Sequence, residues 1–157
     1  MQSYIQVLIQ SLHQKVEALD CIIEKNKEQY HILSVEEADM EAFDANVREK
    51  SEYIDKIVFL DDGFEEIYSR VKAELDENRA AHIEEIRQMK KLISDITERS
   101  MKIQAQEQRN KELAGMQFAK AKKKVRQVKA GNKVAMHYYQ NMQQLRNVDP
   151  QFMDKKK

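Results

Sequence analysis

The sequence predicts an all-α chain: an antiparallel helical bundle or coiled coil of about three helices, of which the third is very long. Two features of composition indicate this class: 34% of the residues are charged, and the 157 residues include one Pro and three Gly. Such dense charge with so few helix breakers is typical of long, surface-exposed helices. The third feature is the recurrence of apolar residues at steps of three and four, which places them on one side of a helix.

Helix 1 is predicted over residues 3–33. Asn26 falls on its apolar stripe, and a polar residue at such a position often fixes the register between helices. The apolar members of the stripe are Ile5, Leu8, Leu12, Val16, Leu19, Ile22, Ile23, Tyr30 and Leu33.

Helix 2 is predicted over about 40–60, after a short acidic turn. Ser34 and Glu37 have the spacing of a capping box, and Asp39 is a second candidate for the N-cap. Because no Gly or Pro interrupts this part of the chain, one bent, continuous helix remains an alternative to a hairpin.

Helix 3 is predicted over 64–118, because Gly63 is suited to ending a helix and Asp61 or Asp62 can cap the next one. Its stripe from Ile67 to Leu113 repeats every 3.5 residues or so, a period that favours left-handed, coiled-coil-like packing. Such a helix would be about 80 Å long. Part of it would project, or helices 1 and 2 would lie end to end along it, or a second chain would cover it. A homodimer is therefore left open.

The stripe of helix 3 becomes polar at Glu107, Asn110 and Gln117. Burying such groups without partners costs about 1–3 kcal/mol each, so the packed region is predicted to end near 105–115. The sequence therefore predicts a helical body over 1–118 and a C-terminal arm over 119–157.

The neutral total charge hides a strong asymmetry. The net charge is −11 over residues 1–78, +2 over 79–118 and +9 over 119–157. The arm begins with the basic run 120–129, whose plain interpretation is a solvated helix face or a contact with the acidic half of the same molecule. Residues 120–133 contain no aromatic side chain to stack on bases, so a nucleic-acid partner is not expected. The role of the run stays open.

The arm also carries an apolar and aromatic patch, since Val134, Tyr138, Met142 and Leu145 share one helical face. This patch either folds back as core or binds a partner, and flexible Met-rich surfaces suit variable partners. The candidate partner-binding residues are Val128, Val134, Met136, Tyr138, Tyr139, Met142 and Leu145.

No constellation of residues predicts catalysis, a metal or a cofactor. Cys21 is a lone thiol beside the apolar stripe, and the single Glu28-x-x-His31 half-motif has no second copy to complete a di-iron site. An enzyme is therefore not expected. The chain has no run of about 20 apolar residues that would span a membrane and no recognisable secretory leader. A single cysteine fits a reducing compartment, so a cytoplasmic location is expected.

The sequence resembles the FlgN-type flagellar export chaperones. The resemblance rests on Leu8–Leu33 with the acidic turn and Lys50-Ser51, on Glu107-x-Arg109-Asn110-x-x-Leu113, and on the ending Phe152-Met-Asp-Lys-Lys-Lys157. It implies a chaperone that binds terminal, helix-forming segments of the hook-associated (hook–filament junction) proteins. The chaperone would keep them unpolymerised and deliver them to the flagellar type III secretion apparatus.

Two other functions are weighed against this one. The first is a homodimeric coiled-coil scaffold that associates through the Ile67–Ile103 stripe. The second is a helical nucleic-acid-binding protein, whose binding would weaken steeply with salt.

Overall fold

The structure, a computed structural model, describes residues 2–124 and His137. Over 2–124 it holds three long helices and no strand, which confirms the predicted all-α bundle with a long third helix. The helices are α1 (Gln2–Leu33), α2 (Met40–Glu77) and α3 (Ile83–Lys124), and a 3-10 turn at Arg79–His82 joins α2 to α3.

The helices run up, down and up. Contacts between α1 and α2 pair early residues with late ones, as in Lys15 with Asp61 and Gln29 with Asn46, so these two helices are antiparallel. Contacts between α1 and α3 keep a nearly constant offset, from Gln2 with Glu85 to Leu33 with Gln117, so these two are parallel. Each helix therefore packs along most of its length inside one chain.

The α1–α2 connection is a hairpin, not a bent helix. Asp39 is the N-cap of α2, since its side chain accepts hydrogen bonds from the backbone N–H groups of Glu41 and Ala42. Ser34 acts at the other end of the loop, where its hydroxyl donates to the carbonyl of Tyr30. Of the two predicted caps, the structure therefore selects Asp39.

The predicted break at Asp61-Asp62-Gly63 is wrong, because α2 continues to Glu77. Asp61 is buried and pairs with Lys15 at 2.9 Å, so its carboxylate is not available to cap a helix. Gly63 is exposed and a Cβ there would meet nothing within 4 Å. A single glycine costs a helix interior about 1 kcal/mol, which the packing on either side of it outweighs.

The actual break lies at Asn78–His82, inside the predicted helix 3. Glu74 organises it: the side chain of Asn78 donates to Glu74 at 2.8 Å, and His82 lies 2.8 Å from the same carboxylate. These hydrogen bonds hold the pKa of the Glu74 carboxyl below its ordinary value. His82, predicted to lie on the helix 3 stripe, is instead a buried residue of this turn.

Because of this turn, the chain does not form the predicted helix of about 80 Å, which its own helices could not have covered. By folding back at Asn78, the chain makes helices of 32, 38 and 42 residues that cover one another. The buried apolar members of the predicted third stripe, which the turn divides between α2 and α3, therefore lie in the core of a single chain. They include Val71, Leu75, Met89, Ile93, Ile96 and Ile103.

Packing also continues beyond the predicted limit at 105–115. Gln117 is buried, and the ring of Phe118 meets that of Phe43 edge-on, with centroids 5.7 Å apart. The prediction failed because these polar side chains have hydrogen-bond partners in the α1–α2 hairpin. The division into a body over 1–118 and an arm over 119–157 stays a prediction, since α3 runs on to Lys124 and most of the arm lies outside the described residues.

Candidate partner-binding surfaces

The seven predicted partner-binding residues lie outside the described residues. They are Val128, Val134, Met136, Tyr138, Tyr139, Met142 and Leu145. The structure describes the helical bundle that precedes these residues in the chain, and the surfaces of that bundle.

A layer of buried polar side chains crosses the bundle at Asn26, about three-quarters of the way along α1. Lys50, on α2, lies at its centre with no exposed surface, and its ammonium group donates to Glu107 of α3 at 2.6 Å and to the side-chain oxygen of Asn26 on α1. Asn26 in turn donates to Gln106 at 3.1 Å. The layer therefore ties all three helices together at one level and fixes their register.

Burial sets the chemistry of Lys50. Removal from water lowers its pKa to about 8, against the pull of the Glu107 carboxylate, which acts in the opposite direction. Sequence reasoning identified Asn26, Glu107 and Asn110 as polar positions on apolar stripes but missed Lys50. The signal was present, because Lys50 lies three residues after Val47 and four before Ile54 on the buried stripe of α2.

The segment that carries the second part of the family resemblance attaches α3 to the α1–α2 hairpin. Glu107 binds Lys50, and Asn110 donates to the backbone carbonyl of Asn26 at 3.0 Å. Between them, the Arg109 guanidinium lies 3.9 Å from the ring centroid of Tyr30, a cation–π contact. Each of these polar residues therefore makes a separate structural contact.

About two turns beyond Asn110, Gln117 holds the α1–α2 loop. Its amide nitrogen donates to the carbonyls of Leu33 at 3.1 Å and Val35 at 2.7 Å, and its oxygen accepts from the N–H of Ala38 at 3.2 Å. The last carbonyls of a helix lack partners within the helix, so Gln117 satisfies groups that would otherwise need water. Lys120 adds a contact to the carbonyl of Glu36 at 3.1 Å. The start of the basic run is thereby fixed beside the loop.

The opposite end of the hairpin presents an apolar hollow, which sequence reasoning missed. It has a volume of about 290 Å³ and is lined only by residues of α1 and α2. Phe59, on its rim, is 77% exposed and Val7 is 44% exposed. Gly63 contributes to the hollow by having no side chain. Phe59 lies next to the buried Leu60, so the sequence alone did not show which of the two faces solvent.

The residues weighed for chemistry form no site. Cys21 is a free, partly exposed thiol. Glu28 accepts a hydrogen bond from Asn46 at 3.3 Å, while His31 is exposed and its ring meets that of Tyr30 edge-on. In the described part of the chain, no group of three or more His, Cys, Asp or Glu side chains could hold a metal ion. No helix among the described residues has the length and apolar character needed to cross a membrane.

Comparison with known proteins gives one match. The family model described as FlgN protein matches residues 1–146, which includes the whole described bundle and most of the arm. The chain belongs to the FlgN family. Neither the curated proteins nor the solved structures give a match. Membership of the FlgN family supports a general role as a flagellar export chaperone with protein partners.

Proposed function

We propose that this FlgN-family chain is a cytoplasmic export chaperone for hook-associated proteins. It binds their terminal amphipathic segments, keeps them unpolymerised and delivers them to the flagellar type III secretion apparatus. The observation that carries the proposal is the family match over residues 1–146, which extends past the bundle and includes residues 125–146 of the arm. The match therefore includes the uncharged, Met- and Tyr-rich segment 134–145.

The binding mode that we propose is recognition between amphipathic helices. The apolar residues of the arm, from Val128 to Leu145, would receive the apolar face of the client segment. Tyr138 and Tyr139 would act as anchors, because Tyr offers a large contact area at a small cost in conformational entropy. The body supports this arrangement by fixing the base of the arm, through Gln117 and Lys120, against the α1–α2 loop.

The test is co-purification of the full chain with a hook-associated protein, comparing two matched variants. The first carries Tyr138→Ser and Met142→Ser in the arm. The control carries Tyr4→Ser and Met101→Ser, which remove an exposed Tyr and an exposed Met from the body (40% and 66% exposed). We expect the arm variant to lose the client and the control to retain it. Equal retention by both would show that the arm is not the binding site.

The scaffold alternative loses its main support. It required the Ile67–Ile103 stripe to be free for a second chain, whereas Met89, Ile93, Ile96 and Ile103 are buried within this one.

A further inference from the structure

One solvent-exposed face of α2 has the residue spacing of a helix–helix contact. Its members recur at alternating steps of four and three residues, the spacing that keeps side chains on one side of a helix against a partner helix. All of them are exposed, and the two central ones, Phe59 and Gly63, also line the apolar hollow. This α2 face consists of Glu52, Lys56, Phe59, Gly63, Glu66 and Arg70.

The order of residues along the α2 face is complementary to its own reverse. A second α2 that lies antiparallel to the first can place its Gly63 opposite Phe59, so that the large ring meets the residue without a side chain. The charged members on either side then face residues of opposite sign: Lys56 opposite Glu66, and Glu52 opposite Arg70. A twofold axis repeats each contact, so opposite charges meet at four places.

Other arrangements of two copies lose this match. A parallel pair in register would place each charged member of the α2 face opposite its own copy, so that like charges meet at all four positions. An antiparallel pair shifted by one heptad in either direction would place Phe59 opposite Lys56 or Arg70. Because juxtaposed like charges reduce affinity, the pattern selects one orientation and one register.

The hollow beside Gly63 offers space for the ring of Phe59 from a second copy. The hollow has a volume of about 290 Å³, and no charged residue contributes to its walls, which include Val7 and Ile67. A cavity of about 150 Å³ is enough to hold benzene. Phe59 is 77% exposed in the single chain. In a symmetric pair each copy supplies one ring and one hollow, so both rings are withdrawn from water.

The charge of the chain does not oppose this association. Residues 1–78 have a net charge of −11, but the chain as a whole is neutral and the α2 face itself carries two acidic and two basic residues. Glu66 and Arg70 form an ion pair within α2 at 3.3 Å, and both side chains are exposed. Exposed pairs of this kind contribute little to stability, so both side chains can turn towards a second copy.

The chain's own arm matches the α2 face less well than a second copy does. The arm is long enough to reach the hollow, but residues 119–157 have a net charge of +9. Lys56 and Arg70 would repel a basic segment, whereas an antiparallel copy places an opposite charge at every charged position of the face. The same mismatch applies to any partner whose charges have a single sign. The pattern of charge therefore favours a second copy.

We propose that the α2 face joins two copies of this chain in an antiparallel, twofold-symmetric dimer. The contact does not involve the α3 residues of the Ile67–Ile103 stripe, which are buried, and it does not depend on the role of the arm. It extends over about five turns of each helix, or 27 Å. This is at the small end of specific interfaces, so the dimer forms as the concentration rises. The two α1–α2 loops lie at opposite ends of the dimer, about 60 Å apart.

The test is sedimentation of the full chain at concentrations from about 1 µM to 1 mM. The variants are Lys56→Glu, Glu66→Lys and the two together. Lys72→Glu is the matched control, because Lys72 is also exposed on α2 but lies outside the α2 face. Phe59→Ser removes the exposed ring, and Met101→Ser is its control, since Met101 is 66% exposed and lies on α3. Circular dichroism and the unfolding midpoint establish that every variant is folded.

We expect the natural chain to dimerise, and Lys56→Glu or Glu66→Lys alone to weaken the dimer by about tenfold or more, because each brings like charges together at two places. The double variant should dimerise like the natural chain. An equimolar mixture of the two single variants should form a mixed dimer, because each supplies the charge that the other lacks. Phe59→Ser should also weaken the dimer by about tenfold or more, whereas Lys72→Glu and Met101→Ser should leave it unchanged.

A natural chain that stays monomeric over this range of concentration would overturn the proposal. The same holds if Lys72→Glu weakened the dimer as much as Lys56→Glu, or if the two single variants formed no mixed dimer. If the natural chain were monomeric and Tyr138→Ser with Met142→Ser made it dimerise, the arm would be the occupant of the hollow and the proposal would be wrong. Loss of client binding by that arm variant, with the dimer unchanged, would support the two sites as separate.

Discussion

Replacing Lys50 with Met should destabilise the bundle severely, whereas replacing Lys50 and Glu107 together should not. Lys50 has no exposed surface, and Glu107 is only 9% exposed. Their charged groups are 2.6 Å apart. Lys50→Met leaves a carboxylate in a largely dry site without its cation, which costs about 3–5 kcal/mol. Glu107→Leu leaves the ammonium group in the same position and should cost a similar amount.

The double variant, Lys50→Met with Glu107→Leu, removes both charges and keeps the volume apolar. A buried ion pair that is replaced in this way is often neutral or stabilising. The side-chain oxygen of Asn26 loses one donor, at a cost of about 1 kcal/mol. The double variant should therefore lie within about 1–2 kcal/mol of the natural chain, and the coupling energy should be about 3 kcal/mol or more.

Urea unfolding of the four proteins, followed by circular dichroism, measures this cycle. The matched control is the Lys25–Glu49 pair, which also joins two helices, here α1 and α2, but whose side chains are 22% and 51% exposed. Its removal should cost less than about 1 kcal/mol. If Lys50→Met cost no more than Lys25→Met, or if the double variant were as unstable as the sum of the single ones, Lys50 and Glu107 would not form a buried, coupled pair.

Three further predictions concern single groups. The pKa of Lys50 is about 8 in the folded chain, against 10.5 for an ordinary lysine, so between these values the unfolded chain binds one more proton. The free energy of unfolding of the natural chain should therefore increase by about 3 kcal/mol relative to that of the Lys50→Met, Glu107→Leu variant as pH rises from 8 to 10.5. Urea midpoints that diverge in the opposite direction would contradict this. Gly63→Ala should raise the free energy of unfolding by about 0.5–1 kcal/mol, because a Cβ there meets nothing within 4 Å; a lower melting temperature would contradict it. Gln117→Ala removes the donor to Leu33 and Val35 and should lower the free energy of unfolding by about 1–3 kcal/mol. Amide hydrogen exchange should become faster at Ala38, while the amides near Ile93 stay protected. An unchanged exchange rate at Ala38 would show that Gln117 does not hold the loop.

The sequence was sufficient to predict the helical class, the limits of α1 and Asp39 as one of two candidate N-caps, because each depends on local spacing. It misplaced the break between α2 and α3, since Gly63 has the stronger local signal for a helix end and Asn78 the weaker one. Tertiary packing decides between the two positions. A break at Asn78 gives three helices that pack together, and Asp61 forms a buried ion pair with Lys15. The exposure of Phe59 is likewise a property of the packed hairpin.

The contacts of the polar residues late in α3 explain why the predicted end of the packed region is wrong. A polar stripe was expected to end the packing, because buried amides without partners are costly. Here the partners are backbone carbonyls of the hairpin: Gln106 donates to Ile23, Asn110 to Asn26, and Gln117 to Leu33 and Val35. The packing therefore continues with hydrogen bonds in place of apolar contacts.

The residues that hold the end of α3 against the hairpin are therefore different from the residues that would bind a partner. Glu107 and Asn110, which carry part of the resemblance, are buried and attach α3 to Lys50 and Asn26, while the exposed Arg109 lies against the ring of Tyr30. The buried side chains of Glu107 and Asn110 are used by the fold and cannot at the same time contact a client. Recognition must therefore come from side chains that the bundle does not bury, of which Phe59, 77% exposed, is an example among the described residues.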